Sequence, residues 1–263
     1  MVGRFIKKSY SFLIYLFLYA PILILIIFSF NNSKSRGSWG GFTLKWYKAL
    51  FSDSQIMSAL YYTVAIAVAS SVIATIIGTA AAIGIHQMKR KQKSVIMNLT
   101  YIPVLNADIV TGISLMILFI FIKLQLGFIT LLIAHVTFNI PYVILSVLPK
   151  LKQLDNNLYE AALDLGATPS YALWKVIIPE IMPGIITGGL LAFTLSIDDF
   201  VISFFTTGSG VSNLSITIYS MARRGIKPQI NALSTIMFVT VLALLLIINL
   251  RTNRNINRKE NAI

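Results

Sequence analysis

Two adjacent aspartates, Asp198 and Asp199, stand inside an otherwise apolar stretch of this 263-residue chain, and a third, Asp108, stands at the edge of another. An ionisable group near the bilayer centre costs about 2.5–3.5 kcal/mol on insertion scales, so three of them demand a compensating role. No Lys or Arg lies inside any of the apolar stretches, so internal ion pairs cannot neutralise them all. A passing organic cation could. Spaced carboxylates between apolar walls complement a ligand that carries ammonium groups along a methylene chain. On a continuous helix, successive side chains diverge by about 100°. Asp199 then shares a face with Ser196, Ser203 and Thr206, and Asp198 with Thr194 and Ile202. That spacing points Asp199 and Ser196 toward a path and Asp198 toward a partner subunit or the ligand. The competing reading makes each aspartate a helix–helix hydrogen-bonding group, with one of them protonated. Asp108 follows Pro103 closely, so it reads either as a path residue or as a helix N-cap at the surface.

Other groups offer less chemistry. Trp46 and Tyr47 lie beside Lys45 and Lys48. An aromatic ring there can stack on an ammonium group of a ligand or anchor the chain at the membrane interface. His86 and His135 are too far apart in the chain to suggest a metal site, and His135 reads as a helix–helix hydrogen bond. Trp174 reads as a packing residue. There is no Cys, hence no thiolate metal site or disulfide framework. The chain lacks a G-x-x-x-x-G-K-[ST] loop, so it has no phosphate cradle of the usual kind. No catalytic residue, metal or cofactor is expected in this chain.

The segment 150–182 reads as two short helices with a sharp turn, too short to span a membrane. Asp155 or Asn156 can cap a helix start, and Leu158, Ala161, Ala162 and Leu165 then fall on one helical face. Gly166 sits where a left-handed residue ends a helix. Thr168 and Pro169 suit the N-cap and first position of a second short helix running toward Val176-Ile177-Ile178-Pro179. Four of the nine acidic residues, Asp155, Glu160, Asp164 and Glu180, are here. A helical pair that lies flat on lipid prefers a basic polar face. This hairpin is acidic, which fits a docking surface for protein better.

These groups must be positioned by membrane helices. The chain is 56% hydrophobic and 12% charged, about half the charge of an ordinary soluble domain. Stretches near 9–30, 59–85, 99–122, 127–148, 184–206 and 232–250 each reach the roughly 20 residues that cross the hydrocarbon core. We expect an all-α integral membrane protein of about six spans and a single transmembrane domain over 1–263. The first stretch is too long for a signal-peptide core and has no small-x-small site after it, so it reads as a retained helix. Pro103, Asn106 and Asp108 mark a break in the third span, and Pro141 a kink in the fourth. Small residues at Ala74, Gly78 and Ala82, and at Gly184 and Gly188, allow close helix packing. The net charge of +13 comes from Lys and Arg between spans, so it speaks for membrane orientation rather than nucleic acid. Of the 22 basic residues, 14 fall on the side holding both termini and segment 150–182, which makes that side cytoplasmic. The basic tail 251–263 can touch anionic lipid, or be a solvated flank.

Glu160-Ala161-Ala162, Gly166 and Val176-x-Ile178-Pro179, at this spacing before the penultimate span, resemble the EAA loop of bacterial ABC-importer permeases. The family's usual Ile-x-Leu-Pro ending appears here as Val-x-Ile-Pro. Asp108-Ile-Val-Thr-Gly-Ile-Ser-Leu, Ala192-Phe-Thr-Leu-Ser-Ile-Asp-Asp-Phe-Val-Ile-Ser-Phe-Phe, Ile218-Tyr-Ser-Met-Ala-Arg and Pro228-Gln-Ile-Asn-Ala-Leu-Ser-Thr are similar to the C-type permeases of spermidine/putrescine transporters. The resemblance implies the type I importer permease fold in a bacterial cytoplasmic membrane. It implies a cytoplasmic coupling hairpin in which Glu160, Ala161, Ala162, Gly166 and Pro179 engage a separate ATP-binding subunit. ATP and Mg would be bound by that partner. The full assembly would add a homologous second permease, a second ATP-binding subunit and an extracytoplasmic polyamine-binding protein. Two rivals stay open: the same machine moving an iron chelate, thiamine or a sulfonate, and an autonomous secondary transporter. The latter predicts inverted repeats, and no repeat is visible.

Overall fold

The computed structural model describes residues 2–33, 37–155, 157–224, 227–240 and 242. Among these the chain is helical, apart from loops and one isolated antiparallel bridge between Asn31 and Phe42. The helices are α1 (Val2–Ser29), α2 (Lys45–Ser52), α3 (Ser54–Gln87), α4 (Arg90–Leu105), α5 (Asp108–Phe121), α6 (Phe128–Gln153), α7 (Asn157–Asp164) and α8 (Pro169–Ala172). A π-helical turn over Leu173–Ile177 leads into α9 (Ile178–Asp198), followed by α10 (Val201–Thr206) and α11 (Leu214–Arg224). Residues 229–240 are helical as well.

The spans differ from the sequence expectation in instructive ways. Among the described residues, four helical runs are long and apolar enough to cross a membrane: Lys8–Ser29, Ser54–Gln87, Phe128–Gln153 and Pro169–Asp198. The third expected span is a pair, α4 and α5, with a bend of 105° between them. Its break falls at Asn106 and Ala107, both extended, while Pro103 is accommodated inside α4. The fifth expected span does not run unbroken to 206. α9 ends at Asp198, where Asp199 turns extended with ψ 125°, and α10 is a separate short helix. Of the sixth expected span, 232–250, residues 232–240 and 242 are helical, while 241, 243–250 and the whole tail 251–263 lie outside the described residues.

The described residues fall in two compact units, one within Ser58–Thr217 and one within Met1–Met57 and Ile218–Ile263. In the first, α6 is the central helix, and its C-terminal half packs between α3 and α9. Val143 of α6 is buried, and it meets glycine on both sides. A Cβ on Gly78 of α3 would lie 2.7 Å from the Val143 Cβ, and one on Gly188 of α9 would lie 3.1 Å from its Cα. A Cβ on Gly184 would meet the Ser146 carbonyl at 3.0 Å. Helices in lipid gain no hydrophobic drive from association, so this close approach is what their van der Waals contact depends on. Toward the other end, Phe119 of α5, Ala134 and Phe138 of α6 and Ile202 of α10 form a smaller apolar cluster.

In the second unit, Asn31 organises the chain after α1. Its side chain accepts from the Ser33 and Gly40 amides and donates to the Ser38 carbonyl, and its own carbonyl accepts from the Trp46 indole at 2.7 Å. Asp53 then caps α3 through the Gln55 and Ile56 amides and faces Lys227 at 3.8 Å.

Candidate functional site

Asp199 and Asp198 are neighbours with different surroundings. The Asp199 carboxylate accepts the Ser203 amide at 2.7 Å and the Ile202 amide at 3.2 Å, so it caps α10. The His135 Nε2 lies 3.6 Å from Asp199 Oδ2 and 3.0 Å from Ser203 Oγ. Both side chains of the His135–Asp199 pair are buried, at 2% and 7% exposure. The Asn213 amide donates to the Asp199 carbonyl and the Ser215 hydroxyl to that of Asp198. The helix break therefore turns Asp199 inward, whereas the sequence reading turned it toward the path. Asp198 closes α9 and is exposed. Among the described residues no cationic side chain comes within ion-pair distance of it.

Ser196, expected beside the path, is 2% exposed and lies in a helix junction. Asn139 of α6 donates to Ser196 at 2.7 Å, and Ser70 of α3 lies 3.0 Å from the same hydroxyl. Among the described residues Asn139 Oδ1 has no hydrogen-bond partner. Asp108 begins α5 after Ala107 and is exposed, a position where a carboxylate favours the helix start. Trp46 belongs to the other unit. It is 6% exposed, hydrogen-bonded to Asn31, and its ring carries the Lys45 ammonium at 4.5 Å. Asp199 thus sits beside His135 and Ser196 is bonded to Asn139, while Asp198 is exposed. Trp46 has an evident structural task where it stands.

The hairpin is built as its spacing predicts. Asp155 accepts from the Asn157 amide at the start of α7. Gly166 has φ +86°, and the Ala167 amide reaches back to the Ala162 carbonyl while the Gly166 amide reaches that of Leu163. This double bond pattern is the Schellman ending, which a glycine adopts without Cβ strain. Thr168 accepts from the Tyr171 amide, and Pro169 opens α8. Glu160, Ala161, Gly166 and Pro179 are exposed and Ala162 is half-buried. Leu158 and Tyr159 pack onto the helix core, but Leu165 is 90% exposed. Trp174 is 66% exposed, not packed as its type suggested. Ala162, Leu165, Gly166, Thr168, Tyr171 and Val176 line an open groove of about 520 Å³.

Two features escaped the sequence reading. One is the bond of Asn139 to Ser196 across the fold, whereas the helix–helix hydrogen bond expected of His135 is present, to Ser203. The other is the π turn, in which the Ile178 amide bonds to the Leu173 carbonyl. Pro179 has no amide to give, and its ring would crowd the carbonyl four residues back, so a widened turn just before it removes the conflict. The Val-Ile-Ile-Pro run was the signal available for it.

Residues 74–259 match the family described as binding-protein-dependent transport system inner membrane component. The chain belongs to that family. As a permease of this kind it is a multi-pass membrane transport subunit. It is 39% identical to the spermidine/putrescine transport system permease protein PotC of Escherichia coli K12, over 94% of this chain and 93% of that one. The corresponding PotC of Haemophilus influenzae is 38% identical over 95% of this chain and 98% of its own. The putrescine transport system permease protein PotI of Escherichia coli K12 is 40% identical over 86% and 83%. The permease also shares its fold with a bacterial ABC transporter that imports the acidic polysaccharide alginate. That match has a TM-score of 0.71 at 17% identity, covering 96% of this chain and 98% of the other. A polyanion importer on the same fold means that the substrate must be argued from the site and not from the architecture.

Proposed function

We propose that this chain is the permease subunit of an ATP-driven importer that takes spermidine or putrescine into the cell. The observation that carries the reading is Asp198: an exposed carboxylate at the end of a membrane helix, with no cationic side chain near it among the described residues. Its charge is available to a polyamine ammonium group. The likeness to PotC and PotI, whose names carry those substrates, supports the same reading.

The chain performs no bond chemistry under this reading. A homologous second permease completes the pathway, and two ATP-binding subunits supply the drive, with ATP and Mg bound by them. An extracytoplasmic binding protein delivers the polyamine. The hairpin with Glu160, Ala161, Ala162, Gly166 and Pro179 takes the motion from the ATPase, and its exposed Leu165 and Tyr171 give a partner apolar surface to cover. Both chain termini are cytoplasmic. Asp108 provides a further acidic group on the path. The complex has two global states whose balance is set by ATP at one site and polyamine at another. The test is radiolabelled spermidine and putrescine uptake in cells with and without this gene. Uptake that depends on the gene is the expected result, and equal uptake in both strains contradicts the proposal.

A further inference from the structure

Asp199 has its carboxylate engaged by the protein itself. Oδ2 accepts the Ser203 amide, Oδ1 accepts the Ile202 amide, and His135 Nε2 stands 3.6 Å from Oδ2 while lying 3.0 Å from Ser203 Oγ. Every one of these partners belongs to α6 or α10, so the group ties the start of α10 to the central helix. The chain cannot continue α9 through this point, because Asp199 is extended. Two adjacent free carboxylates in a poorly solvated setting repel, and one of them would take a proton. Here the two α10 amides meet the charge of one, with the imidazole bonded to the Ser203 hydroxyl beside it, and the other points outward.

We propose that His135 is a positioning residue for cation transfer: with the two α10 amides it holds Asp199 as the cap of the broken helix, so that Asp198 alone presents its carboxylate to the cation. This inference rests on the polyamine reading above. It assigns adjacent acids opposite tasks. Asp198 meets substrate, and Asp199 fixes the direction in which Asp198 points. Without His135 the Ser203 hydroxyl, on the residue whose amide holds Asp199, loses its partner on α6. The carboxylate is then drawn outward, α10 is left uncapped, and the 198–199 turn loses its fixed geometry.

The test uses the complete transporter in membrane vesicles, with uptake normalised to the co-purified subunits. His135→Leu keeps the side-chain bulk without a donor, and His135→Gln restores an N–H near the Nε2 position. Half-saturation by spermidine is measured together with hydrogen exchange at the Ile202 and Ser203 amides. In His135→Leu the half-saturating concentration rises about tenfold with the maximal rate changed less than about twofold, the size expected when the buried Ser203 hydroxyl loses its imidazole partner. The two amides exchange faster. His135→Gln returns both quantities close to wild type. In an Asp199→Asn background, His135→Leu changes half-saturation by less than about twofold, because its route of action is already altered. Multiplicative effects in the two backgrounds, a Gln variant as impaired as Leu, or unaltered amide exchange in His135→Leu would each overturn the proposal. The exchange measurement needs no substrate. A wild-type complex that takes up no spermidine therefore defeats the polyamine reading, and amide exchange alone still decides the role of His135.

Discussion

The Asn139 side-chain amide donates a 2.7 Å hydrogen bond to the Ser196 hydroxyl, which also lies 3.0 Å from Ser70, so α3, α6 and α9 meet at one buried polar point. A hydrogen bond between membrane helices averages about 0.6 kcal/mol, and the cost rises when a buried partner is left unpaired. Asn139→Ala should therefore destabilise the purified complex by about 1–2 kcal/mol. Ser70→Ala should cost less, since Asn139 keeps its bond to Ser196 and its contact with Ser70 is already 3.5 Å. Thermal unfolding of both variants in the same lipid checks the order, and a larger loss for Ser70→Ala contradicts it.

Glycines in α3 separate into two kinds. A Cβ on Gly78 would collide with the Val143 side chain, whereas one on Gly84 meets nothing within 4 Å among the described residues. Gly84→Ala should stabilise by about 0.5–1 kcal/mol through lower backbone entropy of the unfolded chain. Gly78→Ala should destabilise by about 1–3 kcal/mol through overpacking. Thermal stability of the two variants tests this, and equal midpoints would mean that α3 and α6 do not approach as described.

Gly166 lies in open space, so substitution there is limited by its φ of +86° and not by collision. Gly166→Asn, which tolerates the left-handed region, should keep ATPase co-purification. Gly166→Val should lower it, because a β-branched residue is strained there. The comparison separates loss of hairpin shape from loss of a contact surface. Equal retention of ATPase in the Val and Asn variants, at equal expression, speaks against the docking role.

Orientation follows from where Lys and Arg lie between spans. A reporter fused after Ile263 should be cytoplasmic and one inserted near Ser209 external. The opposite labelling would reverse the assignment of every loop.

What could be read from the residues was the chemistry that acts locally. Gly166, Thr168 and Pro169 fix a helix end, a cap and a helix start within a few positions, and the hairpin has that form. The pair of small-residue stripes on α3 and α9 likewise reached the central helix, because side-chain volume is a property of the residue itself. The break after Asp198 was not legible. Apolar residues continue on both sides of it, so periodicity runs on through Phe205, and the cap that starts α10 depends on amides folding back onto Asp199. The face assigned to Asp199 presupposed a helix that does not continue. The partners of His135 and Asn139 lie across the fold, and only tertiary packing brings Ser203 and Ser196 to them.

The central claim is that Asp198 meets a polyamine cation in this permease. It is tested most directly by ATP-driven spermidine uptake into vesicles containing the complete transporter, wild type against Asp198→Asn, with subunit pull-down on the same samples. Asn keeps the size of the side chain and removes its charge. The account predicts saturable uptake by the wild type and a loss of at least about tenfold in the variant, the scale of one charge-assisted contact, with assembly retained. Wild-type uptake by a normally assembled Asp198→Asn transporter would contradict it.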